Sequence, residues 1–128
     1  MERPDYSTLA SILEEMNKEG EFTASVLARD DGLLMASAAS PKTNREVIAA
    51  MSGFVASTVE RMRDELGLGQ LRDISVRCSM GKAVFKKIAS QGEQALLIAA
   101  IMPRNVRYHL RPIGKAATRI RHVLGYSD

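Results

Sequence analysis

The eight residues Ala95-Leu96-Leu97-Ile98-Ala99-Ala100-Ile101-Met102 contain no polar side chain and no alternation. The run is far too short to cross a bilayer, which takes roughly 20 apolar residues in a helix. A strand with no alternation has to be covered on both faces, so it belongs in the middle of a sheet. That demand fixes the architecture: flanking strands on either side, and packing layers above and below.

The rest of the chain reads as those parts. Tyr6, Leu9, Ile12, Leu13 and Met16 recur at helical spacing, predicting a helix from about Tyr6 to Lys18, capped by Asp5 or Ser7 and followed by Gly20. Phe22 to Arg29 reads as a strand, Asp30-Asp31-Gly32 as a tight turn, and Leu33 to Ala38 as the return strand. Arg72 to Met80 alternates. Ile74, Val76, Cys78 and Met80 share its apolar side, which makes Cys78 an inert core residue. Gly81-Lys82 is read as a turn, Ala83 to Ala89 as the next strand, and Gln91-Gly92-Glu93 as the turn into the central one. Pro103 to Leu124 reads as a last helix with Val106, Leu110, Ile113, Ala117, Ile120 and Val123 or Leu124 on its stripe, bent or broken near Tyr108 by Pro112. His109 and His122 are ordinary positions of that helix. The expected fold is α/β: one domain over residues 1–128, with a single-layer, five-stranded antiparallel sheet and helices on both faces.

The long helix between the hairpins is the unusual element. Thr43-Asn44-Arg45-Glu46 matches a capping box, with Thr43 as cap and Glu46 reaching back, and Gly67 marks the end. Val47, Ile48, Met51, Phe54, Val55, Val59, Met62 and Leu66 form an apolar stripe roughly 140° wide. The other side is equally uncharged from Val47 to Val59: it carries Ala49, Ala50, Ser52, Gly53, Ala56 and Ser57. A surface helix is normally charged there. Ala49, Gly53 and Ser57 follow a small-x-x-x-small rhythm that admits another backbone closely. Either the helix is buried on both sides within one domain, or its stripe lies on its own sheet and its small face meets another chain. The second reading is the favoured one. It makes Phe54 a core residue and the small face a shared surface.

Composition bounds the chemistry. The single cysteine forms no intrachain disulfide and fits an intracellular, cytoplasmic home; the first residues show no apolar signal core. Residues 1–66 hold 7 Lys/Arg against 12 Asp/Glu, a balance of −5, and residues 67–128 hold 11 against 3, a balance of +8, giving the net +3. The basic half reads first as a solvated or self-complementary surface, then as a site for an acidic protein, and last as a nucleic-acid site. Gly67-Leu68-Gly69 follows a helix and lacks the Gly-Lys-Ser/Thr ending, so it is no phosphate loop. Ser79-Met80-Gly81-Lys82 has the Ser-x-x-Lys spacing without the partner motifs of acyl-enzymes. No metal-ligand set, nucleophile–base pair or cofactor motif stands out, and neither nucleic acid nor membrane insertion is expected.

The order of elements resembles the roadblock (dynein light chain) family, and within it the bacterial and archaeal MglB-type proteins. The resemblance spans about Tyr6 to Leu124. It rests on the hairpin Ser25-Val26-Leu27-Ala28-Arg29-Asp30-Asp31-Gly32-Leu33-Leu34-Met35-Ala36-Ser37, the small-residue helix, and Gly92-Glu93-Gln94-Ala95-Leu96-Leu97-Ile98; Pro112 departs from the family's uninterrupted last helix. It implies a non-catalytic homodimer in which the third strand, at the sheet edge, pairs with its copy, while the paired central helices bind a small Ras-like GTPase. That GTPase would be regulated through its own residues, or only tethered. By this resemblance the partner-binding residues are Ala49, Ser52, Gly53, Ala56, Ser57 and Glu60. The dimer contacts are Asp73, Ser75, Val76 and Arg77 with Ala50 and Gly53; if that strand pairs antiparallel with its copy, the register that sets Asp73 opposite Arg77 of the other chain, twice, puts Ser75 on the two-fold axis. A ligand-sensing module between sheet and helix, or a structural dimerisation module of a larger complex, is the alternative; it would need a pocket with convergent polar groups.

Overall fold

The computed structural model describes residues 5–91 and 94–126. Its elements in chain order are α1 (Tyr6–Gly20), β1 (Ala24–Arg29), β2 (Leu34–Ala38), α2 (Arg45–Leu66), β3 (Asp73–Arg77), β4 (Lys82–Gln91), β5 (Gln94–Met102) and α3 (Leu110–Leu124). The strands form one antiparallel sheet in the order β2-β1-β5-β4-β3. The apolar run Ala95–Met102 is thus the central strand, and β3 is an edge. The Gly92-Glu93 part of the expected turn lies outside the described residues.

Alternation along the strands builds two unequal cores. Leu27 of β1, Leu96, Ile98 and Met102 of β5, and Val84 of β4 face α1 and α3, where they meet Leu9, Ile12, Leu13, Met16, Ile113 and Ile120. Val26, Ala28, Ala99 and Phe85 face the other way, toward Ala49 of α2. The first core is made of large side chains and the second mostly of small ones.

Helix ends follow local chemistry. Asp5 caps α1, accepting from the Thr8 amide at 3.1 Å and the Thr8 hydroxyl at 2.6 Å. These bonds hold the exposed Asp5 carboxyl below its usual range, the hydroxyl bond foremost. For α2 the expected capping box is not used. Asn44 is the cap, accepting from the Val47 amide at 3.2 Å, and the Thr43 hydroxyl lies 3.3 Å from that of Ser40. Asn caps at least as well as Thr, and starting one residue later puts Glu46 at the second helical position, out of reach of a reciprocal bond. Gly67 ends the helix in the left-handed conformation. Pro112 neither bends nor breaks a helix: α3 starts at Leu110, so Pro112 stands third in the first turn, where its missing amide would have no intrahelical partner. The expected helical turns before it are an irregular connection, residues 103–109.

Candidate functional site: the two faces of the central helix

α2 lies on the β2-β1-β5 side of the sheet with its small face inward. Ala49, Ser52, Gly53 and Ala56 are buried, and the tight turn between β1 and β2 packs directly on them. A Cβ on Gly53 would stand 2.8 Å from the Asp30 carbonyl oxygen and 3.1 Å from the Gly32 amide nitrogen. Gly32, at φ +91°, presses on the Ala50 backbone in the same way, with its would-be Cβ 3.2 Å from the Ala50 Cα. The Asp30 carboxylate accepts from the Ala95 amide at 3.1 Å, and the Asp30 amide donates to the Ala95 carbonyl at 2.9 Å, so the turn is pinned to the central strand. On the solvent side of that turn an Arg29–Asp31 ion pair and the Leu33 amide hold the Asp31 carboxyl below its usual range, the Arg29 bond foremost.

The expected orientation of the helix is therefore reversed. Val47, Met51, Phe54 and Met62, read from the sequence as core, are exposed, Phe54 to 75%. Ile48, Val55 and Val59 are half-buried along the edges of the stripe. Of the expected partner-binding residues, Ala49, Ser52, Gly53 and Ala56 lie against the chain's own sheet and turn, so no partner reaches them in the folded chain. Ser57 is exposed and Glu60 half-buried. Of the expected dimer contacts, Ala50, Asp73, Ser75, Val76 and Arg77 are exposed, and Gly53 is buried. The reversal has a steric cause. A turn that approaches a helix backbone this closely leaves room only for glycine, alanine and serine, and the large side chains are forced to the far face.

β3 is equally bare. It pairs with β4 alone. Ile74 tucks partly against the α2-side core, while Val76 is 40% exposed. Cys78, read as a core residue, lies past the end of β3 and is exposed: the alternation continues beyond Arg77, but the strand and its cover do not. Ile74 and Val76 stand opposite Phe85 and Ala83 in the ladder. They therefore point to the α2 side of the sheet, and the bare strip of β3 and the bare stripe of α2 open on the same side.

Between the C-terminal half of α2 and the sheet is a cavity of about 360 Å³, lined among others by Asp30, Ser57, Glu60, Leu71, Lys87 and Gln94. Glu60 bonds Arg63 at 2.7 Å and Lys87 at 3.5 Å. Burial pushes its carboxyl up, but the two cations outweigh this and hold it below its usual range. Among the described residues no group of His, Cys, Asp and Glu is arranged to hold a metal ion.

The sequence reading missed one tie. Lys82, read as a turn residue, opens β4 and is buried. Its ammonium donates to the Val106 carbonyl at 2.6 Å and to His109 Nδ1 at 3.1 Å, so the His109 proton sits on Nε2. Burial, then the Lys82 charge, lower the His109 pKa. Nothing local signals a contact between residues so far apart in the chain.

Residues 8–101 match the profile of the Roadblock/LC7 domain. Two uncharacterized proteins of Methanocaldococcus jannaschii are each 26% identical over 110 residues, which cover 86% of this chain and 94% of theirs. MglB of Myxococcus xanthus superposes with a TM-score of 0.85 at 12% identity, over 98% of this chain and 93% of that one. A further MglB structure, described as having a tetrameric arrangement, superposes with a TM-score of 0.83 at 13% identity, over 96% and 92%.

Proposed function

The chain belongs to the Roadblock/LC7 domain family, and on that premise we propose that it is a non-catalytic, dimeric regulator or scaffold that docks a small Ras-like GTPase. The observation that carries this reading is the outward apolar stripe of α2, Val47, Met51, Phe54 and Met62. Contiguous apolar surface of that kind marks an interaction site. Fully burying each of these side chains contributes about 1.5–3 kcal/mol, and four of them together reach the scale of the cost of association.

Two surfaces need cover and two partners supply it. The β3 edge exposes unpaired backbone groups, and pairing with its own copy removes that edge. Antiparallel pairing about Ser75 sets Asp73 opposite Arg77 of the second copy, twice, each pair adding about 0.2–1 kcal/mol. It also brings the two α2 stripes to the same side of one continuous sheet. The stripes then cover one another in part and present the remainder, with Ser57 and Glu60 at a polar rim, to the GTPase. The MglB likeness supports self-association: one such structure is described as tetrameric.

The test is gel filtration with light scattering, alone and with a candidate GTPase loaded with GTP or GDP. A dimer of about 28 kDa is expected from the 14.0 kDa chain, with a larger complex in one nucleotide state that Phe54→Glu abolishes. A monomer at tens of micromolar, or unchanged binding by Phe54→Glu, would sink the reading. The cavity beside Glu60 and Lys87 favours a second reading, a ligand-sensing module, because its volume is in the range of small-molecule sites and several polar groups converge on it.

A further inference from the structure

Arg77, Lys82, Arg104, Arg107 and Arg111, five of the eleven Lys/Arg of the basic half, belong to the segments at one end of the sheet, where the β3–β4 hairpin meets the connection from β5 to α3. The hairpin tip is closed by the Cys78 amide donating to the Gly81 carbonyl at 2.8 Å. Lys82 ties it to the connection through Val106 and His109, and Val106 packs into the larger core. Both segments are thus held firmly by their inner residues, and the outer ones project. Met80 is 92% exposed, Tyr108 85% and Leu110 53%. Arg104, Arg107 and Arg111 around them are exposed and form no ion pair among the described residues. Elsewhere in this half Lys87, Lys115 and Arg119 each have a carboxylate partner. The first turn of α3 has no acidic residue either.

One exposed methionine or tyrosine needs no explanation. Three large exposed apolar side chains in two joined segments that also carry three exposed arginines, with no ion pair among the described residues, do. A folded acidic partner would have to place carboxylates to match each arginine, whereas an anionic bilayer presents phosphate oxygens wherever the arginines fall. A fluid bilayer also adapts to the exposed apolar side chains between them. Met80 and Leu110 can enter the acyl boundary, Tyr108 suits the headgroup level, and arginine binds phosphate oxygens bidentately. We propose that this tip docks peripherally on an anionic phospholipid surface. No described helix is long and apolar enough to cross a membrane, so the contact is interfacial. It is separate from the α2 stripe and leaves it free for a protein partner.

The test is co-sedimentation of the full chain with vesicles of phosphatidylcholine alone, or containing about one-third phosphatidylserine, at low and high salt. The chain is expected to sediment with the anionic vesicles only, less so as salt rises. Arg104→Ala, Arg107→Ala and Arg111→Ala each lower partitioning about fivefold. Met80→Gln with Tyr108→Gln, which removes apolar surface without changing charge, lowers it while leaving the salt dependence in place. All five positions are exposed, and circular dichroism should match the parent. Equal sedimentation with both vesicle types, no binding to the anionic ones at low salt, or full binding by the triple arginine variant overturns the proposal. So does binding of polyglutamate or duplex DNA in place of vesicles, which would assign the tip to an acidic protein or a nucleic acid.

Discussion

Gly53 and Gly114 both sit inside helices, and one substitution should act oppositely at the two. Glycine to alanine in a helix interior gains about 1 kcal/mol. At Gly114 nothing lies within 4 Å of the added methyl group, so α3 keeps the whole gain. At Gly53 the methyl would stand 2.8 Å from the Asp30 oxygen and 3.1 Å from the Gly32 nitrogen. These are backbone atoms of a turn pinned to β5 at Ala95, and they do not swing aside as a side chain would. Helix and turn must separate, and overpacking of this kind costs about 1–3 kcal/mol. The intrinsic gain cancels between the two sites, so Gly53→Ala should be about 1–3 kcal/mol less stable than Gly114→Ala, and Gly53→Arg far less stable again. The assay is urea or thermal unfolding at one fixed protein concentration, because association adds to stability. Each kcal/mol should appear as roughly 3–5 °C in a chain of this length. If Gly53→Ala melts with Gly114→Ala, or Gly53→Arg melts with the parent, the small face is not packed on the turn and the assignment of the two faces of α2 fails.

Phe54→Ala should leave the single chain within about 1 kcal/mol of the parent while weakening self-association roughly 10- to 100-fold, measured by sedimentation equilibrium beside unfolding; a fold lost by 3–5 kcal/mol would mean the ring is core after all. Ser75→Cys, in a Cys78→Ser background, should yield a disulfide-linked dimer under mild oxidation if β3 pairs with its copy about Ser75; failure to cross-link a chain that is dimeric by light scattering rejects that register. Asn44→Ala should cost about 1 kcal/mol and Thr43→Ala less than about 0.5 kcal/mol in unfolding measurements; equal losses would restore the capping box. The His109 pKa is depressed in the fold, so the unfolded chain takes up the proton first: stability should fall as pH drops below the ordinary 6.5 and level off beneath the folded value. His109→Gln should flatten that part of the unfolding profile, and an unchanged slope would discount the Lys82 contact.

Much of the fold was legible because its signals are local. The unalternating run at Ala95–Met102 demanded a central strand, Asp30-Asp31-Gly32 a tight turn, and Gly67 a helix stop, and each is found at those residues. The misses are contacts made at a distance. Asn44 and Thr43 are nearly equivalent caps, so only the packed position of the helix chooses between them. The period of Ile74, Val76 and Cys78 runs on past Arg77, and periodicity cannot tell where cover ends. The cavity at Lys87 and the Lys82–His109 tie join residues more than twenty positions apart, which no window along the chain contains.

The reversed face of α2 is a different kind of error. Amphipathicity ranks faces by how strongly they avoid water, but it does not say whether the cover comes from the same chain. Here both faces avoid water, and the stronger one was assigned to the fold. A second signal decides the matter by matching sizes. The strands carry Leu27, Leu96, Ile98 and Met102 on one side, whereas on the other Val26, Ala28 and Ala99 are small and Phe85 is the one large buried residue. α1 and α3 meet the large side with leucine and isoleucine. A helix over the small side has to come close, and only its small face, Ala49, Ser52, Gly53 and Ala56, permits that approach. The large residues of α2 are then left over by the fold, and five of them, Val47, Met51, Phe54, Met62 and Leu66, remain exposed. A surplus of that size on a rigid helix is the observation on which the proposed partner surface rests. The same steric rule that misplaces Phe54 in a sequence reading therefore also leaves its ring in solvent in the single chain, which is why the proposed docking is tested at that residue.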